Sequence, residues 1–558
     1  SRPIHIALYS GKEHNYMLFE VHHIIADGAS ASVLMNEIDR AYNGEDIEPE
    51  DYTFYDVTAE ELRLRAGSEE YEAARLWYEQ NFNIGDVDTQ IIADRNEKEA
   101  AVVHAEYNLN IDKENIRHLI ERTEVKAGTL FTSAFALLMS KFTGDEQVLF
   151  STIWHGRSDK RMARTMGMFV KTLPVHYAFH RGMTLAELFA HGDKIIKGAR
   201  KHSVFSYADA NASLGIKSNY LFVYQGYLFN NITIGGYPVT MEDLEESATT
   251  EPLSIQIYQE RDGGYRAVVE YFSHLYSEAL VAQLIESFEA ILNSMHDGTQ
   301  SIDELSYITP RQESLLDSFN ATEREYDATQ TVLSYFAKHV AANPNHLAVV
   351  YKDKKYTYKE VDELSNKIAH RINNYGLGRG DVVAVLIPRS EWMMIASLGV
   401  LKAGCGYEPL DPSYPNERLQ FMTKDAGIRM IIADKNLLST IELDIENVLF
   451  TDDIITLDEP TTTPNIEVRP DDLFIMLYTS GSTGVPKGCM LEHRNILSFE
   501  LSHTQICGIN SDSRVTAYAS YGFDASMMET YSAVVSGATL HIIAGEIRLD
   551  FVALNEYF

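Results

Sequence analysis

The spacing of apolar residues along the chain changes near residue 330. Before that point, short alternating stretches that predict strands, such as 16–21, are mixed with amphipathic stretches that predict helices, such as 185–200. Beyond it, strand patterns alternate with helical ones. Strands are predicted at 382–387, 430–433, 473–478, 515–519 and 540–543, and helices at 392–402, 418–424 and 526–535. This alternation favours a largely parallel sheet covered by helices on both faces.

A polar stretch rich in turn-forming residues separates the two patterns. We therefore predict a first domain of α/β or α+β character over 1–305, a linker over 306–330 and a second α/β domain over 331–558. A length of 558 residues agrees with more than one core. Because the chain opens in strand-like sequence without a methionine and ends at Phe558 without an evident terminal element, we expect a fragment cut at both ends.

Charge and cysteine content exclude several classes of function. The chain has 47 Lys and Arg against 81 Asp and Glu, and its net charge of −34 disfavours nucleic acid and anionic membranes as partners. No stretch approaches the roughly 20 apolar residues of a membrane span. Cys405, Cys489 and Cys507 lack paired spacing, so neither disulfides nor a metal site is expected, and a cytoplasmic location is predicted.

Two adjacent histidines follow the first predicted strand. His22 and His23 begin a seven-residue string that ends with Asp27 and Gly28, before a helix predicted to begin near Ser30. If the strand continues through both histidines, their side chains point to opposite faces, and only one can line a given channel. A neutral imidazole can accept a proton near neutral pH, the aspartate can hold the loop, and glycine permits close approach of a substrate chain. The alternative is a structural histidine pair followed by a simple turn.

The complete string resembles the signature of the chloramphenicol-acetyltransferase-like acyltransferases, and among them the condensation domain of nonribosomal peptide synthetases. Further similar segments lie at 156–157, 166–174, 198–205 and 219–226. Two departures accompany them. Lys171 replaces the family's usual asparagine, and the customary acidic residue after His202 is missing.

The resemblance implies a role for each residue of the string. His23 is the implied catalytic histidine with His22 beside it, Asp27 is mainly structural, and Gly28 lies beside a phosphopantetheine arm. The implied reaction is attack of an acceptor aminoacyl amine on a donor thioester, which forms a peptide bond. Both substrates ride on carrier (thiolation) domains upstream and downstream. Whether His23 deprotonates the amine or only orients it stays open.

A loop rich in glycine and hydroxyl residues follows the strand predicted at 473–478. It runs from Thr479 to Lys487 and Gly488. Its intervening candidate residues are Ser480, Gly481, Ser482, Thr483 and Gly484. Free backbone N–H groups, hydroxyls and a lysine are phosphate-binding chemistry, although the spacing is not that of a Walker A loop. The string resembles the nucleotide loop of adenylate-forming enzymes, and 356–364, 401–415 and 523–526 are similar to peptide-synthetase adenylation domains.

This second resemblance implies ATP and Mg²⁺ as cofactors of a complete adenylation domain. It also implies that Asp524 pairs with the α-ammonium of an amino acid, and that Ala525 and Met528 line the side-chain pocket. Acyl-CoA ligases have no use for such a carboxylate, so amino-acid activation is favoured over fatty-acid activation. The alternative is a capping box at 526–529, with Asp524 at the positive end of a helix. The family's remaining contacts would lie beyond Phe558, so little ATP–pyrophosphate exchange is expected.

The leading hypothesis is therefore an enzyme, a nonribosomal peptide synthetase module fragment with condensation and adenylation chemistry. An epimerisation or cyclisation variant of the first fold is a second hypothesis. Continuation into an adenylation domain disfavours epimerisation, and the paired histidines disfavour cyclisation. A third hypothesis, a non-catalytic docking platform for carrier domains, stays open at this point.

Overall fold

The computed structural model describes residues 4–12, 14–82, 87, 89–99, 101–227, 232–239, 249–479 and 486–558. The chain forms two compact units, Ser1–Thr322 and Glu323–Phe558. Over the residues described, no helix combines the length and apolar character needed to cross a bilayer.

The first unit contains a six-stranded mixed sheet, two short hairpins and nine α-helices within the described ranges. Its strands are β1 (Ile4–Ser10), β2 (Asn15–Val21), β3 (Val102–Leu109), β4 (Gln147–Trp154), β5 (Lys171–Ala178), β6 (Tyr220–Gly226), β7 (Thr233–Ile234), β8 (Tyr237–Pro238), β9 (Leu253–Gln259) and β10 (Tyr265–Phe272). Its helices are α1 (Gly28–Tyr42), α2 (Phe54–Arg65), α3 (Glu69–Asn81), α4 (Lys113–Thr123), α5 (Ala127–Thr143), α6 (Leu185–Lys201), α7 (Tyr207–Leu214), α8 (Glu278–Ser294) and α9 (Pro310–Asn320).

The large sheet has the strand order β3, β10, β9, β6, β4, β5. β6 runs parallel to both β4 and β9, whereas β10 is antiparallel to β3 and β9, and β4 is antiparallel to β5. β1 and β2 form a separate hairpin in which Ile4 pairs with Val21. The strand predicted at 16–21 is confirmed as β2, and the helix predicted at 185–200 is confirmed as α6.

α5 forms the centre of the first core. Every residue from Thr129 to Met139 is buried, which is typical of a helix enclosed on all sides. It packs against β6, α6 and α8. The helix ends at Gly144, whose φ of 76° lies in the left-handed region that glycine adopts without steric cost. The sheet and its covering helices therefore fix the ends of β4 and β5, where the first site is built.

α9 occupies much of the segment predicted to be a linker. Thr309 and Gln312 form a capping box, Pro310 stands in the first turn, and no residue of the helix is buried. The division between the two units at 322 and 323 lies inside the predicted linker range of 306–330. The three-part division of the chain stays a prediction.

The second unit contains two sheets rather than the single sheet that the alternation suggested. Its strands are β11 (Leu347–Tyr351), β12 (Lys354–Thr357), β13 (Val382–Leu386), β14 (Gly406–Pro409), β15 (Met430–Ala433), β16 (Asn447–Phe450), β17 (Leu473–Thr479), β18 (Lys487–Glu492), β19 (Arg514–Ala517) and β20 (Thr539–Ile542). Its helices are α10 (Val332–Ala342), α11 (Tyr358–Asn374), α12 (Trp392–Lys402), α13 (Asn416–Asp425), α14 (Lys435–Leu438), α15 (Thr451–Ile454), α16 (His493–Cys507), α17 (Ala525–Ser536), α18 (Gly545–Arg548) and α19 (Phe551–Tyr557).

Both sheets of the second unit are largely parallel, as predicted. One has the order β16, β15, β13, β14, β17, β18, and among its described pairs only β17–β18 is antiparallel. The other has the order β12, β11, β20, β19, with β11 and β12 antiparallel. All eleven residues of α12 are buried, because this helix lies against α10, α11, β13 and β14.

Candidate active sites

The histidine pair lies in a turn rather than on a strand. β2 ends at Val21, and the amide of Ile25 donates to the carbonyl of His22 at 3.1 Å. The Nδ1 atom of His22 accepts from the amide of Ile24 at 3.2 Å. The condition under which alternation would send His22 and His23 to opposite faces is therefore not met, because the backbone turns as soon as β2 ends. Both histidines are exposed.

Asp27 is the buried anchor of this turn and caps α1. Its Oδ1 atom accepts from the amide of Ser30 at 2.8 Å, and its Oδ2 atom accepts from Arg157 Nη1 and from the amide of Phe169, both at 3.0 Å. Burial alone would raise the pKa of Asp27, but the hydrogen bonds from Arg157, Phe169 and Ser30 outweigh it and lower the pKa. The carboxylate therefore stays ionised. The exposed Gly28 is the first residue of α1, two residues earlier than expected.

Arg157 completes the buried cluster from the loop after β4. Its Nη2 atom donates to Ser30 Oγ at 3.0 Å and to the carbonyl of Thr165 at 3.2 Å. Its guanidinium carbon lies 4.7 Å from the centroid of the Phe169 ring. Side-chain exposure is 9% for Arg157 and 0% for Asp27, so the ion pair is shielded from solvent.

Close backbone approach explains the glycine next to Arg157. Gly156 has φ of 70°, and a Cβ atom there would lie 1.8 Å from the carbonyl oxygen of Phe169. Only glycine fits this position without displacing the strand that follows. The loop after β4 is thus held against the segment that binds Asp27.

Lys171 and His202, which mark the two departures from the family pattern, both have structural partners in the first unit. Lys171, at the start of β5, forms an ion pair with Glu61 and donates to the carbonyl of Ser203 at 3.4 Å. His202 caps the carboxyl end of α6 and stacks on Trp77, with ring centroids 5.1 Å apart and planes 15° apart. Burial lowers the pKa of His202.

The phosphate-loop candidates are described only at the two ends of the loop. Thr479 ends β17 and pairs with Lys487, which begins the antiparallel β18, and both side chains are exposed. Gly488 faces Tyr478, since a Cβ atom there would lie 3.2 Å from the tyrosine ring. The candidates Ser480, Gly481, Ser482, Thr483 and Gly484 lie outside the described residues.

Asp524 lies at the amino end of α17. Its Oδ1 atom accepts from the amide of Ala525 at 2.8 Å, and the residue is exposed. Met528 follows Ala525 by three positions, so the two lie on one face of the helix, and both are exposed. The structure therefore brings together an exposed carboxylate and the two pocket candidates at one end of the helix.

The capping box considered for 526–529 does not form. Ser526 lies inside α17 and donates to the carbonyl of Phe523 at 2.7 Å. Glu529 instead accepts from the backbone amides of Tyr518 and Ala519, each at 2.9 Å. The carboxylate of Glu529 serves the segment before the helix, because that segment folds back along the first turn of α17.

Arg157, Ser30 and Phe169 are the site residues that sequence reasoning left without a role. Arg157 was noted only for its resemblance to the family. Its contact with Asp27 spans 130 residues, which no local pattern could reveal. Within the described ranges, no group of three or more His, Cys, Asp or Glu side chains could hold a metal ion.

Two family models match the chain with these sites in place. The model described as a condensation domain matches residues 1–316, and the model described as an AMP-binding enzyme matches residues 336–557. The first covers more than half of the chain. The chain belongs to the nonribosomal peptide synthetases, with a condensation domain followed by an AMP-binding enzyme domain. The second match implies ATP as the nucleotide.

Curated relatives match nearly the whole chain. Tyrocidine synthase 2 of Brevibacillus parabrevis is 26% identical over 565 residues, which cover 98% of this chain and 16% of that protein. Surfactin synthase subunit 1 of Bacillus subtilis (strain 168) is 26% identical over 577 residues, which cover 99% of this chain and 16% of the relative. The chain thus spans about one sixth of the length of these relatives.

Solved structures share the fold. The holo form of AB3403, a four-domain nonribosomal peptide synthetase bound to AMP and glycine, matches with a TM-score of 0.77 at 18% identity. The match covers 100% of this chain and 44% of that one. A second synthetase, FmoA3, matches with a TM-score of 0.67 at 18% identity, covering 93% of this chain and 55% of that one. The α/β class and the two-domain architecture are thereby confirmed.

Proposed function

We propose that the first unit forms a peptide bond between two carrier-bound thioesters and that His23 is its catalytic histidine. The observation that carries the proposal is the buried Asp27–Arg157 pair, which fixes the turn bearing an exposed imidazole. His22 lies beside it in the same turn, with Nδ1 engaged by the backbone. Because the turn is already ordered, its imidazole can bind substrates without a further loss of conformational entropy.

The proposed reaction transfers an acyl group from sulfur to nitrogen. The acceptor amine attacks the donor thioester carbonyl, the new C–N bond forms and the C–S bond breaks. An imidazole can take the amine proton and return a proton to the leaving thiolate. His23 performs that transfer or holds the amine for it, and the exposed Gly28 borders the path of the phosphopantetheine arm. The partners are carrier domains, and neither nucleic acid nor a membrane takes part.

We infer that the second unit binds an amino acid and ATP for activation as an aminoacyl-adenylate. Asp524 offers a carboxylate to the α-ammonium group, a charge-assisted interaction. Ala525, which directly follows Asp524, and Met528, one turn further along α17, border the side chain of the substrate. Lys487, with Thr479 opposite, presents a positive charge to phosphate at the mouth of the loop. The cytoplasmic location stays a prediction.

Bound ATP would supply the adenylyl group that activates the amino-acid carboxylate, with pyrophosphate as the leaving group. The exposed ends of β17 and β18 fit a polyanion, because a lysine and a hydroxyl face one another across the strand pair. Mg²⁺ belongs to the proposal only as the partner of the ATP phosphates. The described part of the second unit contains no cluster of acidic ligands that would hold the ion by itself.

Product formation from loaded carriers tests the condensation proposal. A donor carrier bearing an aminoacyl thioester and an acceptor carrier bearing a second one are mixed with the chain, and the acceptor is analysed by mass spectrometry. Dipeptide on the acceptor supports the proposal. Carrier binding without any dipeptide would instead establish the docking-platform alternative.

Equilibrium binding tests the amino-acid proposal separately. The twenty proteinogenic amino acids are screened by saturation-transfer NMR, and the best ligand is titrated into the wild type and Asp524→Asn. Weaker binding by the variant, with unchanged thermal stability, supports the assignment. Equal binding by both proteins contradicts it.

A further inference from the structure

Arg389 joins the two sheets of the second unit at their carboxyl ends. It lies three residues after the end of β13, and its guanidinium donates to carbonyl oxygens at and just after the strand ends of the other sheet. Nε donates to Ile543 at 2.8 Å and Nη1 to Ala519 at 2.5 Å, while Nη2 donates to Ala517. One planar fork thus bonds three carbonyls, of which that of Ala517 also accepts from the amide of Ile543 at 3.2 Å.

A carboxylate binds backbone N–H groups of the same segment whose carbonyls accept from Arg389. Glu529 accepts from the amides of Tyr518 and Ala519, so Ala519 is bonded through both its N–H and its C=O. Burial raises the pKa of Glu529, while the backbone hydrogen bonds and the nearby Arg389 oppose that rise. The guanidinium of Arg389 and the carboxylate of Glu529 therefore both hydrogen-bond to the short backbone stretch 517–519.

Two further hydrogen bonds fix the residues between this stretch and Asp524. Asp411, which follows β14, accepts from the hydroxyl of Ser520. Tyr521 is buried, and its hydroxyl donates to the carbonyl of Met393 at 3.1 Å. Asp524 comes only three residues after Tyr521, so its position follows that of the anchored segment.

We propose that Arg389 is a positioning residue for amino-acid recognition. It holds the segment 517–523, defined here as the Asp524 support, so that the carboxylate of Asp524 faces the bound α-ammonium group. The inference rests on the proposed function of Asp524. Arg389 lies 135 positions before Asp524 and does not contact the substrate, but it sets the affinity of the site for the amino acid. A lysine cannot replace it fully, because an ammonium group lacks the planar fork that reaches three carbonyls.

The test combines hydrogen exchange with ligand binding on the full 558-residue chain. Arg389→Ala and Arg389→Lys are compared with the wild type and with Arg379→Ala. Arg379 is the matched control, because it precedes β13 at its opposite end and bonds Asp472 at 2.8 Å and the carbonyl of Glu467 at 2.9 Å. The ligands are the best-bound proteinogenic amino acid and ATP. Guanidinium chloride at a low, non-denaturing concentration is added to test rescue.

Arg389→Ala is expected to raise amide exchange over the Asp524 support about tenfold or more, since three hydrogen bonds from a charged donor are lost. Affinity for the amino acid falls by about the same factor, while affinity for ATP is unchanged. Arg389→Lys is intermediate, Arg379→Ala matches the wild type in both readouts, and added guanidinium partly restores Arg389→Ala. If Arg389→Ala does not fold, Arg389→Lys decides.

Three results would overturn the inference. Unchanged exchange over the Asp524 support removes the structural premise. Faster exchange with unchanged amino-acid affinity shows that Arg389 matters only for local stability. Both leave the proposed function standing. A wild-type chain that binds none of the amino acids overturns the proposed function and this inference together.

Discussion

The carboxylate of Asp27 lies 3.0 Å from Nη1 of Arg157, and the two residues are 130 positions apart in the chain. This one ion pair connects the amino end of α1 to the loop after β4. It therefore couples the short turn that bears His23 to the main sheet of the first unit. The geometry of the proposed active site depends on a contact between two distant segments.

Breaking this ion pair is expected to destabilise the first unit. Asp27→Asn keeps the size of the side chain but leaves the guanidinium of Arg157 buried without its counter-charge. Loss of one partner of a buried pair typically costs about 3–5 kcal/mol. Urea unfolding of the variant should show a loss of this size, whereas His23→Ala, at an exposed position, should change stability by less than about 0.5 kcal/mol. Equal stability of Asp27→Asn and the wild type would contradict the anchoring role.

A single added methyl group at Gly156 should also disturb the site. Its positive φ costs a non-glycine residue about 1–2 kcal/mol, and the clash with the carbonyl of Phe169 adds about 1–3 kcal/mol. Gly182→Ala is the matched control, because Gly182 has φ of 76° but nothing within 4 Å of the added carbon. Thermal unfolding should rank Gly156→Ala clearly below Gly182→Ala. Similar melting temperatures for both would disprove the close approach.

The second unit is expected to lose stability as the pH rises from about 5 to 8. Burial, with the nearby Asp425, raises the pKa of Glu408 from 4.5 to about 8. Between these values the folded state keeps a proton that the unfolded state has lost, so increasing pH favours unfolding. A pKa shift of this size corresponds to a change of roughly 5 kcal/mol at most in the free energy of unfolding.

Glu408→Gln should reduce this pH dependence, because glutamine does not titrate, and the rest of the slope comes from groups such as Glu500, whose pKa burial raises to about 9. Urea unfolding followed at pH 5 and pH 8 gives the slope for each protein. Glu417→Gln, at an exposed position in the first turn of α13, is the control and should keep the wild-type slope. A slope unchanged by Glu408→Gln would show that this carboxyl group is not the source of the effect.

Long apolar patterns predicted the second unit well. The helix at 392–402 and the strands at 382–387 and 430–433 were recovered to within one residue at each end, because each is a continuous buried run. The number of sheets could not be predicted in this way. Strand order depends on which runs pair, and pairing is decided by tertiary packing rather than by periodicity.

The fine structure of the sites was less accessible to sequence reasoning. The histidine string was recognised by resemblance, but whether the strand continued past Val21 stayed open, since the apolar residues after His23 resemble a continuing strand. The partner of Asp27 could not be identified, because nothing local distinguishes Arg157 from other arginines. At α17, Ser526 and Glu529 had the spacing of a capping box, yet both bond to the preceding segment.

The most direct test of the central claim is the initial rate of dipeptide formation from loaded donor and acceptor carriers, measured for the wild type, His23→Ala and His22→Ala. General acid–base catalysis typically contributes 10²- to 10⁴-fold, so His23→Ala should lose about 100-fold or more while His22→Ala retains most of the rate. Thermal unfolding of all three proteins should coincide. A His23→Ala variant that forms dipeptide at the wild-type rate would contradict the account.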